Sequence, residues 1–383
     1  MRGGRLLQRL HRRPLLSHRG GRCLARGGLV ASFLAEAWRD ECPGPIPENL
    51  AAIEPLLLSL GAGALAWWRI RGLAPGGPAA DRLHAAYRFH AMQALLHERG
   101  VAEAFRLLRS SRAEPLLGKG WAAARLYPEV GLRPYGDVDL YVREGAYGAA
   151  RAAVESPANS GEAYIDLHCG FGALDDRSPE ELYRRSLVAS AAGEDVRLLG
   201  PEDHLRLLCL HLLTHGACRP LWLCDVAAAL ESRGPDFDWD YFMQGDALRT
   251  DAVGCAVTLA AQLLRALTDG VPQALAPRPL PAWVVRAVLL SWGDPSFTPH
   301  GRRAPMAHLR GPGEILRGLG QRWPNPIEAT MARGGRFDDA ARLPLQLAEC
   351  VARIARFARS RIRGGRASEA ARAWAGQQAP ARR

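Results

Sequence analysis

Three aspartates carry the chemical reading of this chain: Asp137 and Asp139, two residues apart, and Asp166 downstream. From Asp137 to Val142 polar and apolar residues alternate, as in a strand with one buried face. The two carboxylates then share one face, while Val138, Leu140 and Val142 take the other. Asp166, flanked by Ile165 and Leu167 in the same alternation, reaches that face if its strand lies beside the first. Clustered carboxylates suit Mg²⁺, a hard cation that takes oxygen ligands and keeps several waters. Three converging carboxylates can hold two such ions, one activating an attacking oxygen and one steadying a leaving pyrophosphate. Mn²⁺ is the alternative ion. An Asp-x-Asp alone is more often a solvated strand edge, so the surrounding residues decide.

Upstream lies Gly118-Lys119-Gly120. The chain holds 50 Lys and Arg residues, yet Lys119 is its only lysine. Drift from Lys to Arg codons in a GC-rich genome explains the bias, but a needed amine better explains the one exception. The glycines let backbone N–H groups approach phosphates, and a helix over residues 121–126 would aim its positive end at them. Lys119 would add a point charge for a triphosphate. A Walker P-loop is absent, and a Gly-Lys-Gly alone is usually only a turn.

Other residues carry weaker signals. Arg133 suits a triphosphate contact or a pairing with a carboxylate equally well. His168, two after Asp166, shares its face, where a structural hydrogen bond outweighs catalysis. His211 and His215 lie one helical turn apart, with no H-E-x-x-H pattern and no third ligand. Helix packing or a wall of a nucleotide pocket is the better reading. Asp225 is better read as an arginine's partner than as a metal ligand. Asp236-Phe237-Asp238-Trp239-Asp240 resembles a second Asp-x-Asp, but it follows Gly234-Pro235 and precedes a helix, so capping explains it better.

The elements that must position these residues form an α+β protein: a small mixed β-sheet embedded in helices. Residues 1–28 read as a disordered basic N-terminus and 29–112 as a helical region. Residues 113–200 read as the α+β core, 201–362 as a C-terminal helical domain, and 363–383 as a disordered basic tail. Within the core, strands are expected over 115–117, 137–142, 163–168 and 196–199, with a helix over 145–156. The 383 residues carry a net charge of +11, but much of it sits on the Arg-rich ends. These lack interleaved aromatics, so solvated charge is the expectation and nucleic-acid binding the lesser alternative. The eight cysteines match no zinc module or disulfide framework, as expected of reduced thiols in a cytoplasmic protein. No segment reads as a membrane span or as the apolar part of a signal peptide, so a soluble protein is expected.

Residues 116–168 resemble the polymerase-β-type nucleotidyltransferase superfamily: a glycine turn, a carboxylate–apolar–carboxylate strand, then a third carboxylate on a later strand. More narrowly, about residues 85–285 resemble a bacterial family of uncharacterised nucleotidyltransferases. The resemblance rests on Leu117-Gly118-Lys119-Gly120, Arg133-Pro134-Tyr135-Gly136-Asp137-Val138-Asp139-Leu140 and Ile165-Asp166-Leu167-His168. It continues through Glu202-Asp203-His204-Leu205, His211, His215 and Trp222-Leu223-Cys224-Asp225-Val226. It implies Mg²⁺-dependent transfer of a nucleoside monophosphate from an NTP to an acceptor. Asp137, Asp139 and Asp166 would be catalytic and metal-binding, and Gly118, Lys119, Gly120 and Arg133 nucleotide-binding. Many superfamily members place a serine in the turn; here Lys119 must serve instead. Relatives encoded beside peptide natural-product genes imply a small-molecule or peptide acceptor. A toxin-like enzyme acting on tRNA and a nucleotide-binding pseudoenzyme scaffold are the alternatives, and the intact carboxylates argue against the scaffold.

Overall fold

The computed structural model describes residues 18–40, 50–73, 76–156, 164–295 and 322–362. The expected disorder at 1–17 and 363–383, and much of a weakly patterned Gly/Pro-rich stretch, lie outside them. Residues 18–28, read as part of a disordered N-terminus, are instead helical. The chain divides into two units. One comprises Met1–Gly301 with Arg336–Asp339, the other Arg302–Gly335 with Ala340–Arg383.

The first unit opens with helices α1 (His18–Leu34), α2 (Leu50–Ser59), α3 (Gly63–Ile70) and the long α4 (Pro78–Ser110). The core follows as β1 (Leu116–Leu117), α5 (Trp121–Ala124), β2 (Val138–Val142), α6 (Glu144–Val154), β3 (Ile165–Cys169), α7 (Pro179–Arg184), β4 (Leu187–Ala191) and β5 (Glu194–Leu198). Helices α8 (Pro201–Thr214), α9 (Pro220–Glu231), α10 (Trp239–Met243), α11 (Ala247–Leu264) and α12 (Ala282–Gly293) complete it. Prolines in the first turn of α4, α7, α8 and α9 mark where these helices begin. Proline lacks the N–H that a helix start leaves unbonded anyway, and its φ is preset. Asp238 caps α10 by accepting from the Tyr241 N–H at 2.9 Å, as read from sequence.

The sheet is mixed and runs β3-β2-β1-β5-β4. β2 is parallel to β3 and antiparallel to β1, while β5 is parallel to β1 and antiparallel to β4. Strand β4 had not been read from the sequence. It forms a hairpin with β5 across Ala192 and Gly193, both at positive φ, the conformation that two-residue hairpin turns need.

Each sheet face is covered by its own apolar layer. On one face Leu117, Val138, Leu140, Val142, Val196 and Leu198 pack against Phe105 and Leu108 of α4 and Ala150 of α6. On the other, Leu116 and Tyr141 meet Leu207 of α8, together with Leu199, Phe171 and Leu174. Behind that second layer α8, α9 and α11 pack on one another. Among the described residues α11 alone is long and apolar enough to cross a membrane, and 61% of it is buried inside the protein, as in a core helix.

The second unit contains α13 (Pro326–Ala332) packed against α14 (Leu343–Ile362). Glu349 ties it together, accepting from Arg353 at 3.1 Å and from Arg356 at 2.6 Å and lying 2.9 Å from Arg333.

The loop leading into β2 is anchored on α4 at Gly131. Its φ is +85°, and an added Cβ would lie 2.4 Å from backbone atoms of Ala91. Gly131→Ala should therefore destabilise the protein by about 1–3 kcal/mol, through strain at positive φ and a clash with backbone that cannot move cheaply. Urea unfolding should show a lower midpoint than for Gly136→Ala, whose added Cβ meets nothing within 4 Å.

Candidate active site

The parallel pairing of β2 and β3 sets Asp139 directly beside Asp166, and Tyr141 beside His168. All four lie on the face that α8 covers, opposite Val138 and Leu140. The Asp139 side chain is 6% exposed and that of Asp166 45%, so the pair runs from a buried floor to an open mouth. Lys119 Nζ lies 2.5 Å from Asp139 Oδ1, the same oxygen that is 3.2 Å from His168 Nε2. His168 Nε2 is also 3.5 Å from Asp166 Oδ2. One donor atom each from Asp139, Asp166 and His168 lies within 4.8 Å of the others, spacing that could hold a metal ion.

Charge balance explains why this arrangement holds. Burial disfavours the Asp139 carboxylate, but the His168 bond and the Lys119 ammonium outweigh it and bring its pKa to about 2. Asp139 is thus ionised throughout the neutral range. Asp137 is pushed up, first by burial and then by the charge on Asp139, with Lys119 opposing. It precedes the first residue of β2 rather than lying within the strand, and it stands outside the 4.8 Å group. The His168 ring stacks on Tyr141 with centroids 4.6 Å apart, and Tyr141 stacks on Phe171 at 5.9 Å. That stack fixes the imidazole over the aspartates.

Lys119 reaches Asp139 because of the turn between β1 and α5. At Gly118 an added Cβ would lie 2.6 Å from Leu207 Cδ2 and 3.1 Å from Tyr141, so glycine is what lets α8 close down on the turn. Gly120 has φ +54°, and its Cβ position is 3.1 Å from the Asp137 carbonyl, which holds the turn against the start of β2. Helix α5 ends at Ala124, short of the expected 121–126. A single turn aligns few peptide dipoles, so the ammonium is the principal positive charge at this turn.

Arg133 is turned to Asp225 on α9. It donates from Nε to Oδ1 at 3.1 Å and from Nη2 to Oδ2 at 2.7 Å, and the Tyr127 hydroxyl donates to Oδ1 at 2.8 Å. Of its two sequence readings, pairing with a carboxylate is the one this geometry shows. The pair is buried on both sides. Burial works against the guanidinium charge, yet Asp225 raises its pKa above the ordinary value. The pair clamps the approach to β2 onto the helical layer. His211, His215 and Trp222 form one aromatic cluster, with His211 centroids 4.6 Å from both partners.

His168 makes a hydrogen bond of the kind expected of it, to Asp139 at 3.2 Å, and it belongs to the carboxylate group as closely as Asp166 does. Its signal was available, since it lies two positions after Asp166 on the same strand face.

The family model described as "Uncharacterised nucleotidyltransferase" matches residues 62–268, which include all five strands, the glycine turn and helices α8 and α9. No curated protein and no solved structure matches the chain.

Breaking the clamp tests its structural role. Arg133→Ala leaves Asp225 buried without its cation and should cost about 3–5 kcal/mol, the usual loss when one partner of a buried pair is removed. The paired change Arg133→Met with Asp225→Leu should recover a large part of that loss in chemical denaturation. Recovery would separate a structural arginine from one whose absence matters only for ligand binding.

Proposed function

The chain belongs to the uncharacterised nucleotidyltransferase family, and from that premise we propose that it transfers a nucleoside monophosphate from an NTP to a small-molecule or peptide acceptor. The observation that carries this reading is the Asp139–Asp166 pair on adjacent strands, with His168 and Lys119 converging on it. Two carboxylates within 4.8 Å of each other offer the oxygen ligands that a hard divalent cation, Mg²⁺ or Mn²⁺, takes, with the His168 imidazole beside them. Such a cation, when bound, supplies charge that neutralises triphosphate oxygens and favours ionisation of an attacking hydroxyl.

The protein's own residues do the rest. Asp139, at the buried floor, and Asp166, at the mouth, would hold the cation, with Asp137, which precedes the strand and lies outside that close group, as the expected third carboxylate. His168, fixed by its stack on Tyr141, orients Asp139. The Lys119 ammonium meets the triphosphate as a point charge, in a turn kept open by Gly118 and Gly120. The acceptor oxygen bonds to the α-phosphorus while the bond to the β-phosphate oxygen breaks. Pyrophosphate departs, and the acceptor proton passes to solvent through the exposed mouth beside Asp166. Arg133 supports this site through Asp225 by holding the start of β2 in place.

A small or peptide acceptor is favoured over tRNA by how the arginines of this unit are used. Arg109 pairs with Glu114 and Glu194, Arg185 with Glu202 and Asp238, Arg206 with Asp176, and Arg133 with Asp225. These four arginines answer internal carboxylates and so do not contribute to a stripe for a phosphate backbone, which sequence-independent nucleic-acid binding requires.

Pyrophosphate release from NTP tests the reading. Chelation with EDTA should abolish release and added Mg²⁺ restore it. Asp139→Asn should lower turnover by at least about a hundredfold, an effect of the size that removal of a major electrostatic contact produces. Asp139→Asn with full activity would sink the assignment. Lys119→Arg keeps the charge but replaces a compact ammonium with a planar guanidinium. It should weaken NTP binding or turnover by about 1–3 kcal/mol, the worth of a charged hydrogen bond. Equal affinity and turnover would remove Lys119 from the site.

A further inference from the structure

Two helices bring aromatic side chains to the edge of the carboxylate site. Leu207 of α8 packs where Gly118 leaves room, and His211 lies one turn further along the same face of that helix. Asp225 of α9 bonds to Arg133 and Tyr127, and Trp222 lies one turn before it on the same face. The rings meet between the helices. His211 and Trp222 are T-shaped at 4.6 Å, His215 is 5.3 Å from Trp222, and the Arg219 guanidinium lies over Trp222 at 5.0 Å. Trp222 and His211 are half-buried and His215 is exposed, so the cluster opens to solvent.

Both ends of the cluster feel the site's charges. The His211 imidazole is held well below its ordinary pKa by burial first and then by Lys119, with Asp139 opposing. The Arg219 guanidinium is lowered first by burial, with Cys218 and then, after the repulsion of Arg133, Asp137 acting on it. Helix α9 also packs against α5, which begins at the glycine turn, and Leu207 of α8 lies against Gly118, so the aromatic cluster and the glycine turn border one space.

We infer that the Trp222–His211–Arg219 cluster is the subsite for the nucleobase of the NTP, with the base stacking on the Trp222 indole. This rests on the nucleotidyl-transfer reading and names where that site takes the end of its substrate remote from the phosphates. An indole face accepts any base by stacking, and a neutral imidazole beside it offers one donor and one acceptor to a base edge. Arg219 adds a planar cation of the kind that accompanies such stacks. The triphosphate end, met by Lys119, and the base end, met by Trp222, are then contacted by different side chains.

The two ends can be tested apart on the full-length chain in Mg²⁺. Binding of ATP, GTP, CTP and UTP is compared with that of inorganic tripolyphosphate, which has no base. At least one NTP should bind about tenfold or more tighter than tripolyphosphate, the advantage that stacking a base on an aromatic ring provides. Trp222→Ala should erase that advantage and leave tripolyphosphate affinity within about twofold, while Trp222→Phe keeps most of it. As a second measurement, quenching of protein fluorescence by the preferred NTP should fall in Trp222→Phe, even if Trp222→Ala fails to fold. The inference is overturned if Trp222→Ala retains the full NTP advantage, or if quenching is unchanged in Trp222→Phe. Wild-type protein that binds tripolyphosphate but no NTP more tightly overturns this subsite alone. Wild-type protein that binds neither overturns the nucleotidyl-transfer reading with it.

Discussion

The site depends on one pairing, the parallel register that sets Asp139 beside Asp166. Like charges directly across a ladder repel, and a strand pair left to itself would avoid them. Here the repulsion is met from two sides. Lys119 reaches Asp139 from the glycine turn, and His168 bridges toward both carboxylates from β3. Carboxylates brought together in this way need fixed positive partners, and Lys119 supplies one. Lys119 is the compact form of such a partner: its ammonium fits against one oxygen at 2.5 Å, where a guanidinium would demand a wider, planar contact.

The rest of the fold holds that pairing at the right depth. The side of β2 facing away from the carboxylates is pressed onto α4 and α6 by Val138, Leu140 and Val142, so the strand cannot roll without exposing its apolar face. Over the carboxylate side, α8 comes down onto Gly118, and α9 is tied to the start of β2 through Asp225, Arg133 and Tyr127. A bidentate buried pair specifies geometry more than it adds stability, because desolvation cancels much of the attraction. That is its use here, fixing where the helical layer and its aromatic cluster lie relative to the acidic floor. Asp139 is kept ionised near the floor, while Asp166 stays open to solvent.

Local pattern made much of this legible. The alternation through Asp137–Val142 and around Asp166 identified the two strands and the shared face, because side chains on a strand alternate with a period of two. The acidic run Asp236–Asp240 read as a helix cap, and Asp238 is the residue that caps α10, because capping acts within a few residues. The lone lysine stood out from composition, and the structure sets its ammonium against Asp139. The β4–β5 hairpin was missed because β4 is largely small or exposed, and its turn residues adopt positive φ without the usual Asn-Gly signature.

What the sequence by itself determined was which residues lie on which face of each element: Asp139 opposite Leu140, His168 with Asp166, His211 a turn from His215. What the tertiary structure alone decided was which faces meet. That Arg133 turns to Asp225, that His168 joins the carboxylates, and that Leu207 of α8 closes on Gly118 all depend on contacts between residues far apart in the chain. Periodicity fixes a side chain's direction relative to its own backbone, but not which element packs against it. That choice follows from the sum of burial, register and charge over the whole unit, in which no single stretch of sequence dominates.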